Sequence, residues 1–183
     1  MSMQVEPATL EDCLAIAKVH VESWQVAYRD FLPADYLATL STEKRAATWR
    51  EFVTRYPGRL LVARDAEHIV GFVAFGPSRD TGAPSDRAEI WSIYVKPSSW
   101  SSGVGRCLWL AALKQIRAAG YASVSLWVIA GNERAIRFYT GTGFVPDPES
   151  RGTFEIGGTE LEDVRYILEI ESGIGGEVSP HLE

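Results

Sequence analysis

The chain has 183 residues, 46% hydrophobic, 23% charged and 11% aromatic, the profile of one globular domain with a full core rather than a disordered, collagen-like or disulfide-stapled chain. Its 24 acidic against 18 basic side chains leave a formal charge of −6, which argues against a broad phosphate-backbone binder and leaves small cationic partners open. Cys13 and Cys107 are far apart, each in a stretch of helical periodicity, so they read as free thiols in packed helices and the protein as cytoplasmic. The first residues lack a signal-peptide pattern and no apolar run reaches spanning length, so export and membrane insertion are not expected. His20, His68 and His181 have no paired ligand spacing, and no metal is assigned.

Along the chain, Gln4 and Val5 read as an extended start, and Thr9 with Asp12 as a helix N-cap and its acidic partner. Leu10, Cys13, Leu14, Ala17, Val21 and Trp24 then recur on one predicted helix face. Pro33 interrupts, and helical texture resumes from Ala34 towards Phe52. Residues 60–63 and 69–75 read as a hairpin, 76–87 as a polar loop with a solvated Arg79, Asp80 and Arg87, and 89–95 as a strand stopped by Lys96-Pro97. A Ser/Gly segment leads into a helix carrying Trp109, Ala112, Leu113 and Ile116, which Gly120 ends. Val124, Leu126 and Val128 alternate as the next strand, Asn132 opens a short helix, and residues 154–156 and 164–170 form a last pair of strands. Residues 1–171 read as one domain and 172–183 as a flexible tail.

The unit that carries chemistry is strand, Gly103-Val104-Gly105 turn, helix, strand. A glycine turn feeding a helix N-terminus offers unpaired backbone N–H groups and the positive end of the helix dipole, which suits a phosphate, although such glycines can also serve tight packing alone. Leu108 stands where a dinucleotide fingerprint needs its third glycine, the next strand ends in Trp127-Val128 without a ribose-binding acid, and there is no Gly-Lys-Ser/Thr. A phosphate-bearing cofactor of another kind remains. Glu89, beside the apolar run Ile90, Trp91, Ile93 and Tyr94, reads either as an exposed strand end or as a base whose pKa desolvation raises. Trp24, Tyr28, Trp91 and Trp127 offer core packing or, for at most two of them, aromatic walls for a cation.

Three stretches, Ala88-Glu-Ile-Trp-Ser-Ile-Tyr-Val-Lys-Pro97, Ser101-Ser-Gly-Val-Gly-Arg106 and Asn132-Glu-Arg-Ala-Ile-Arg-Phe-Tyr-Thr-Gly-Thr-Gly-Phe144, resemble the GNAT superfamily of N-acetyltransferases. The resemblance implies an α/β (α+β) fold: a central, mostly antiparallel mixed sheet flanked by helices, with strands 89–95 and 124–128 parallel and splayed. It also implies acetyl transfer from acetyl-coenzyme A to an amine, with Tyr139 as acid to the leaving thiolate and Glu89 as base. The pyrophosphate is then expected on Ser101, Ser102, Gly103, Val104, Gly105 and Arg106, and the pantetheine along Ile93, Tyr94 and Val95 and against Asn132. Trp100 departs from the family's usual Gln or Arg at that position while keeping its backbone N–H. The acceptor expected is a small cationic amine, Trp24, Tyr28, Trp91 and Trp127 lining its pocket; a protein N-terminus or lysine, a non-catalytic acyl-coenzyme A binding domain, and a homodimer stay open. Neither nucleic acid nor membrane is expected as a partner.

Overall fold

Apolar residues in every position of Leu60 to Ala63 require cover on both faces of a strand, and the fold supplies it. The structure, a computed structural model, describes residues 3–170, so the tail expected from 172 lies outside the described residues. Seven strands form one sheet: β1 (Gln4–Pro7), β2 (Leu60–Asp65), β3 (His68–Pro77), β4 (Arg87–Val95), β5 (Ser123–Ile129), β6 (Val145–Ile156) and β7 (Thr159–Glu169), in the order β1-β2-β3-β4-β5-β7-β6. Helices α1 (Cys13–Ala27), α2 (Ala34–Ala38) and α3 (Thr42–Arg55) precede β2; α4 (Val104–Ala118) follows β4 and α5 (Glu133–Gly141) follows β5. Leu60 and Val62 pack with α1 and α3 on one face, whereas Leu61 and Ala63 pack with α4 on the other. The mixed, mostly antiparallel sheet flanked by helices is the architecture that the sequence predicts.

The amide and hydroxyl of Thr9 both donate to Asp12, at 2.9 and 3.1 Å, as their spacing predicts. Residues 10–12 nevertheless wind as a tighter turn, with Asp12 N–H to Thr9 C=O at 3.2 Å, so α1 starts one turn later with Asp12 as its cap. The buried face is also rotated from the predicted one: Cys13, Ile16, Ala17 and His20 face the sheet and α3, while Leu10 and Leu14 are exposed. Ser41, accepting the Lys44 N–H at 3.2 Å, divides the predicted second helix into α2 and α3. β6 starts at Val145 rather than at Phe154, because a register shift between Pro146 and Arg151 absorbs a segment whose prolines hide the strand pattern. Both thiols are free, but only Cys13 is packed; Cys107 lies on the exposed side of α4.

The parallel pairing of β4 with β5 runs through only Arg87, Ala88 and Glu89. Opposite Ala74 and Phe75 of β3 stand Ser92 and Ile90, which leaves Trp91 as an extra residue, a bulge that bends β4 away from β5. The strands splay from that point.

Candidate active site

The divergence leaves a cavity of about 740 Å³ between β4, β5, α5 and the N-terminus of α4. At its α4 end, Ser101 (φ 59°) and Gly103 (φ 89°) are both left-handed, and Gly103 caps α4 without a side-chain bond. Cys107 N–H to Gly103 C=O, at 3.0 Å, is the first helical bond, so the amides of Gly103 to Arg106, residues that line the cavity, have no intrahelical acceptors. Gly105 is needed for close approach: a Cβ there would meet the Phe138 ring at 3.2 Å.

Ser101, Gly103, Val104, Gly105 and Arg106 line the cavity as expected, and so do Ile93, Tyr94, Val95, Asn132 and Tyr139. Ser102 does not; its hydroxyl is spent on Ser99 C=O at 2.6 Å. Trp100 donates its indole N–H to Val95 C=O at 2.7 Å and carries the Arg134 guanidinium over its ring, 3.2 Å from the centroid. The departure from Gln or Arg thus brings in a cation from α5 instead. Arg134 and Arg137 both line the cavity; their signal in the sequence is a pair of arginines three apart on a short helix, a spacing that solvated helix faces share.

Asn132 serves as the N-cap of α5, accepting the Ala135 N–H at 3.3 Å. Tyr139 is held between Phe138 and Phe144, with centroids 5.3 and 5.9 Å away. Burial, reinforced by Tyr94, lifts its phenol well above the ordinary tyrosine value, so it is a protonated donor at every working pH. The Tyr28 and Tyr94 hydroxyls lie 3.1 Å apart in the same cavity, and burial raises both phenols too. This hydroxyl pair was not legible in the sequence, since its members lie 66 residues apart.

Glu89 is buried, as an acid in an apolar strand suggests, but it does not line the cavity. Its carboxylate accepts the Arg79 backbone N–H at 2.8 Å and the Arg79 guanidinium at 2.6 and 3.2 Å. Glu89, expected as a strand end or as a base held in the cleft, thus sits outside the cavity lining with its carboxylate bonded to the loop after β3. Asp80, in the same loop, accepts from Trp127 Nε1 at 2.9 Å and from Arg165 at 3.1 Å, and Arg87 donates to Ser123 at 3.2 Å. The three residues read as solvated are ties that hold one rim of the cleft.

Of the expected acceptor walls, Tyr28, Trp91 and Trp127 line the cavity; Trp24 faces a separate pocket. Three of the four rings carry internal guanidinium groups, with Arg45 at 5.3 Å from Trp24, Arg79 at 5.4 Å from Trp91 and Arg165 at 5.7 Å from Trp127. Among the described residues no cluster of His, Cys, Asp or Glu could hold a metal ion, and no helix is long and apolar enough to cross a membrane.

Residues 21–144 match the model of the Acetyltransferase (GNAT) family. The chain is 34% identical over 161 residues to the uncharacterized N-acetyltransferase YuaI of Bacillus subtilis, covering 87% of this chain and 89% of that one. In fold it is similar to an N-acetyltransferase from Staphylococcus aureus Mu50, with a TM-score of 0.74 at 21% identity over 92% of this chain and 99% of the other. It is likewise similar to the PaiA N-acetyltransferase of Thermoplasma acidophilum, solved in complex with coenzyme A, with a TM-score of 0.72 at 20% identity over 93% of this chain and 100% of that one. A cleft at the parting of two parallel strands, with a glycine turn at one end and a tyrosine at the other, thus occurs in a chain that belongs to the GNAT acetyltransferase family.

Proposed function

We propose that this protein transfers the acetyl group of acetyl-coenzyme A to the primary amine of a small molecule by direct attack. The observation that carries the reading is one cavity joining the unpaired amides at the α4 N-terminus to the protonated hydroxyl of Tyr139. The residues suit the cosubstrate. Amides of Gly103 to Arg106, with the side chains of Arg106, Arg134 and Arg137, match a pyrophosphate in charge and in donor geometry. The β4 edge beyond Glu89, having lost β5 as partner, has backbone groups to pair with an amide-bearing arm.

Acetyl-coenzyme A supplies the thioester, whose carbonyl carbon is attacked by the neutral amine while the carbon–sulfur bond breaks. Backbone N–H groups of β4 stabilise the charge that develops on the carbonyl oxygen. Tyr139 gives its proton to the departing sulfur, and the proton of the attacking amine leaves to water at the cleft mouth. Glu89 acts at one remove: by anchoring Arg79 it fixes the loop that also holds Trp127 through Asp80.

The test is thiol release from acetyl-coenzyme A against a panel of polyamines, amino acids, aminoglycosides and peptides. Turnover of a free small amine supports the reading. Turnover of peptides alone moves the acceptor to a protein N-terminus or lysine, and coenzyme A binding without turnover of any amine favours the non-catalytic binding domain.

A further inference from the structure

A second cavity, of about 300 Å³, lies under α1 and α3 on the face of the sheet opposite α4. It shares Trp91, Ser92 and Tyr94 with the transfer cleft, so the two cavities are neighbours across β4. Its other walls are aromatic: Trp24 from α1, and Trp49 and Phe52 from α3. Such rings offer faces and edges to a planar apolar group.

The charges in the lining all have one sign. Among the described residues Arg45 and Arg79 are the only charged side chains there, and no aspartate or glutamate joins them. In a chain of net charge −6, such a lining favours an anion over a cation. Arg79 is already bound to Glu89. Arg45 has no carboxylate within ion-pair distance among the described residues; it rests over Trp24 with its guanidinium 5.3 Å from the ring centroid. A guanidinium beside an aromatic slot and without a carboxylate partner has a fork of donors to spare for a carboxylate.

His20 adds a second indication. Its Nδ1 accepts the Trp49 indole N–H at 3.1 Å, which leaves the proton of the neutral ring on Nε2, and that buried N–H has no acceptor among the described residues. An orphaned donor in the wall and an unpaired cation at the rim both ask for an acceptor that the protein does not provide.

We propose that this pocket is a binding site for a small aromatic carboxylate, its ring between Trp24, Trp49 and Trp91 and its carboxylate on Arg45. The site stands on its own residues and does not depend on the acetyl-transfer reading. Its ligand could reach the protein as an independent molecule or as the carboxylate-bearing part of an acceptor; the chemistry of recognition is the same.

The probe is phenylacetate, with phenylacetamide as the uncharged isostere, followed by tryptophan fluorescence and calorimetry on the full chain. Saturable phenylacetate binding is expected, at least tenfold tighter than that of the amide. Arg45→Gln should abolish the difference, and Thr48→Trp, which fills the pocket from its exposed α3 rim, should weaken both ligands. Acetyl-coenzyme A affinity should be unchanged in either variant, which verifies the fold without appeal to activity. No saturable phenylacetate binding at millimolar concentration, equal binding of acid and amide, or binding indifferent to both substitutions would each overturn the site. Competition by the probe against a turned-over acceptor assigns the carboxylate to that acceptor; unaltered turnover assigns it to a separate molecule.

Discussion

Arg79 reaches Glu89 twice, through its backbone N–H at 2.8 Å and its guanidinium at 2.6 Å, and so joins the loop after β3 to the residue at which β4 leaves β5. The carboxylate is 2% exposed as a residue, whereas the arginine side chain is 63% exposed. The pair is lopsided: losing the arginine strands a buried charge, but water replaces much of what the arginine itself loses. Arg79→Ala should therefore cost about 1–3 kcal/mol of stability. Glu89→Gln should lower kcat by less than tenfold and leave the shape of the pH–rate profile unchanged. A profile whose acid limb moves in Glu89→Gln would restore the carboxylate as the base.

Tyr139→Phe removes the single donor assigned to the leaving sulfur, so kcat should fall on the order of a hundredfold. Affinity for coenzyme A should remain within twofold by calorimetry, since the ring stays between Phe138 and Phe144. Because burial holds the phenol above its ordinary value of 10, the parent rate should rise with the fraction of neutral amine and show no alkaline fall below that pH. A twofold or smaller loss in kcat would remove the hydroxyl from the chemistry.

The two glycines of the turn should fail differently. Gly103 has open space at its Cβ position but a φ of 89°, so Gly103→Ala costs about 1 kcal/mol of backbone strain and little affinity. At Gly105 the Cβ would press on Phe138 at 3.2 Å, so Gly105→Ala displaces α5 and weakens coenzyme A binding while Gly105→Glu, adding charge among the amides, abolishes it. Equal affinities across all three variants would remove the turn as the phosphate site.

His20 ties stability to pH. Burial, aided by the charge of Arg45, lowers its pKa from 6.5 to about 3. Between those values the unfolded chain binds a proton that the folded one refuses, so the contribution is complete above pH 6.5 and is lost as the pH falls towards 3. Denaturation midpoints should decline on acidification from pH 6.5, and His20→Gln should flatten that decline while lowering stability at neutral pH. Parallel curves for parent and variant would mean that another group carries the dependence.

The order of elements was legible because alternation, turn glycines and the Asn132 cap are local signals, whereas the parting of β4 from β5 was implied by the family resemblance. Residues that answer to distant partners were not. Leu10 and Leu14 fit a helical period as well as Ile16 and His20 do, and only the position of α3 decides which set is buried. Residues 145–153 look like loop because Pro146 breaks the pattern, although pairing with β7 carries the strand across it. In the site, Gly103, Gly105, Asn132 and Tyr139 were found from short motifs. Arg79 and Asp80 were missed because an arginine or aspartate in a polar segment reads as solvated until its partner is brought against it, 10 residues away for Arg79 and Glu89; Arg165, inside a predicted strand, was missed because its partner Asp80 lies 85 residues away.

If the cleft couples thioester cleavage to acetylation of an amine, both products form together and can be followed in one vessel. With acetyl-coenzyme A and a turned-over small amine, free thiol by colorimetry and acetylated amine by mass spectrometry should appear in equal amounts, and both should vanish in Gly105→Glu. Thiol release that does not depend on an amine, or coenzyme A binding with neither product formed from any amine, would contradict the account.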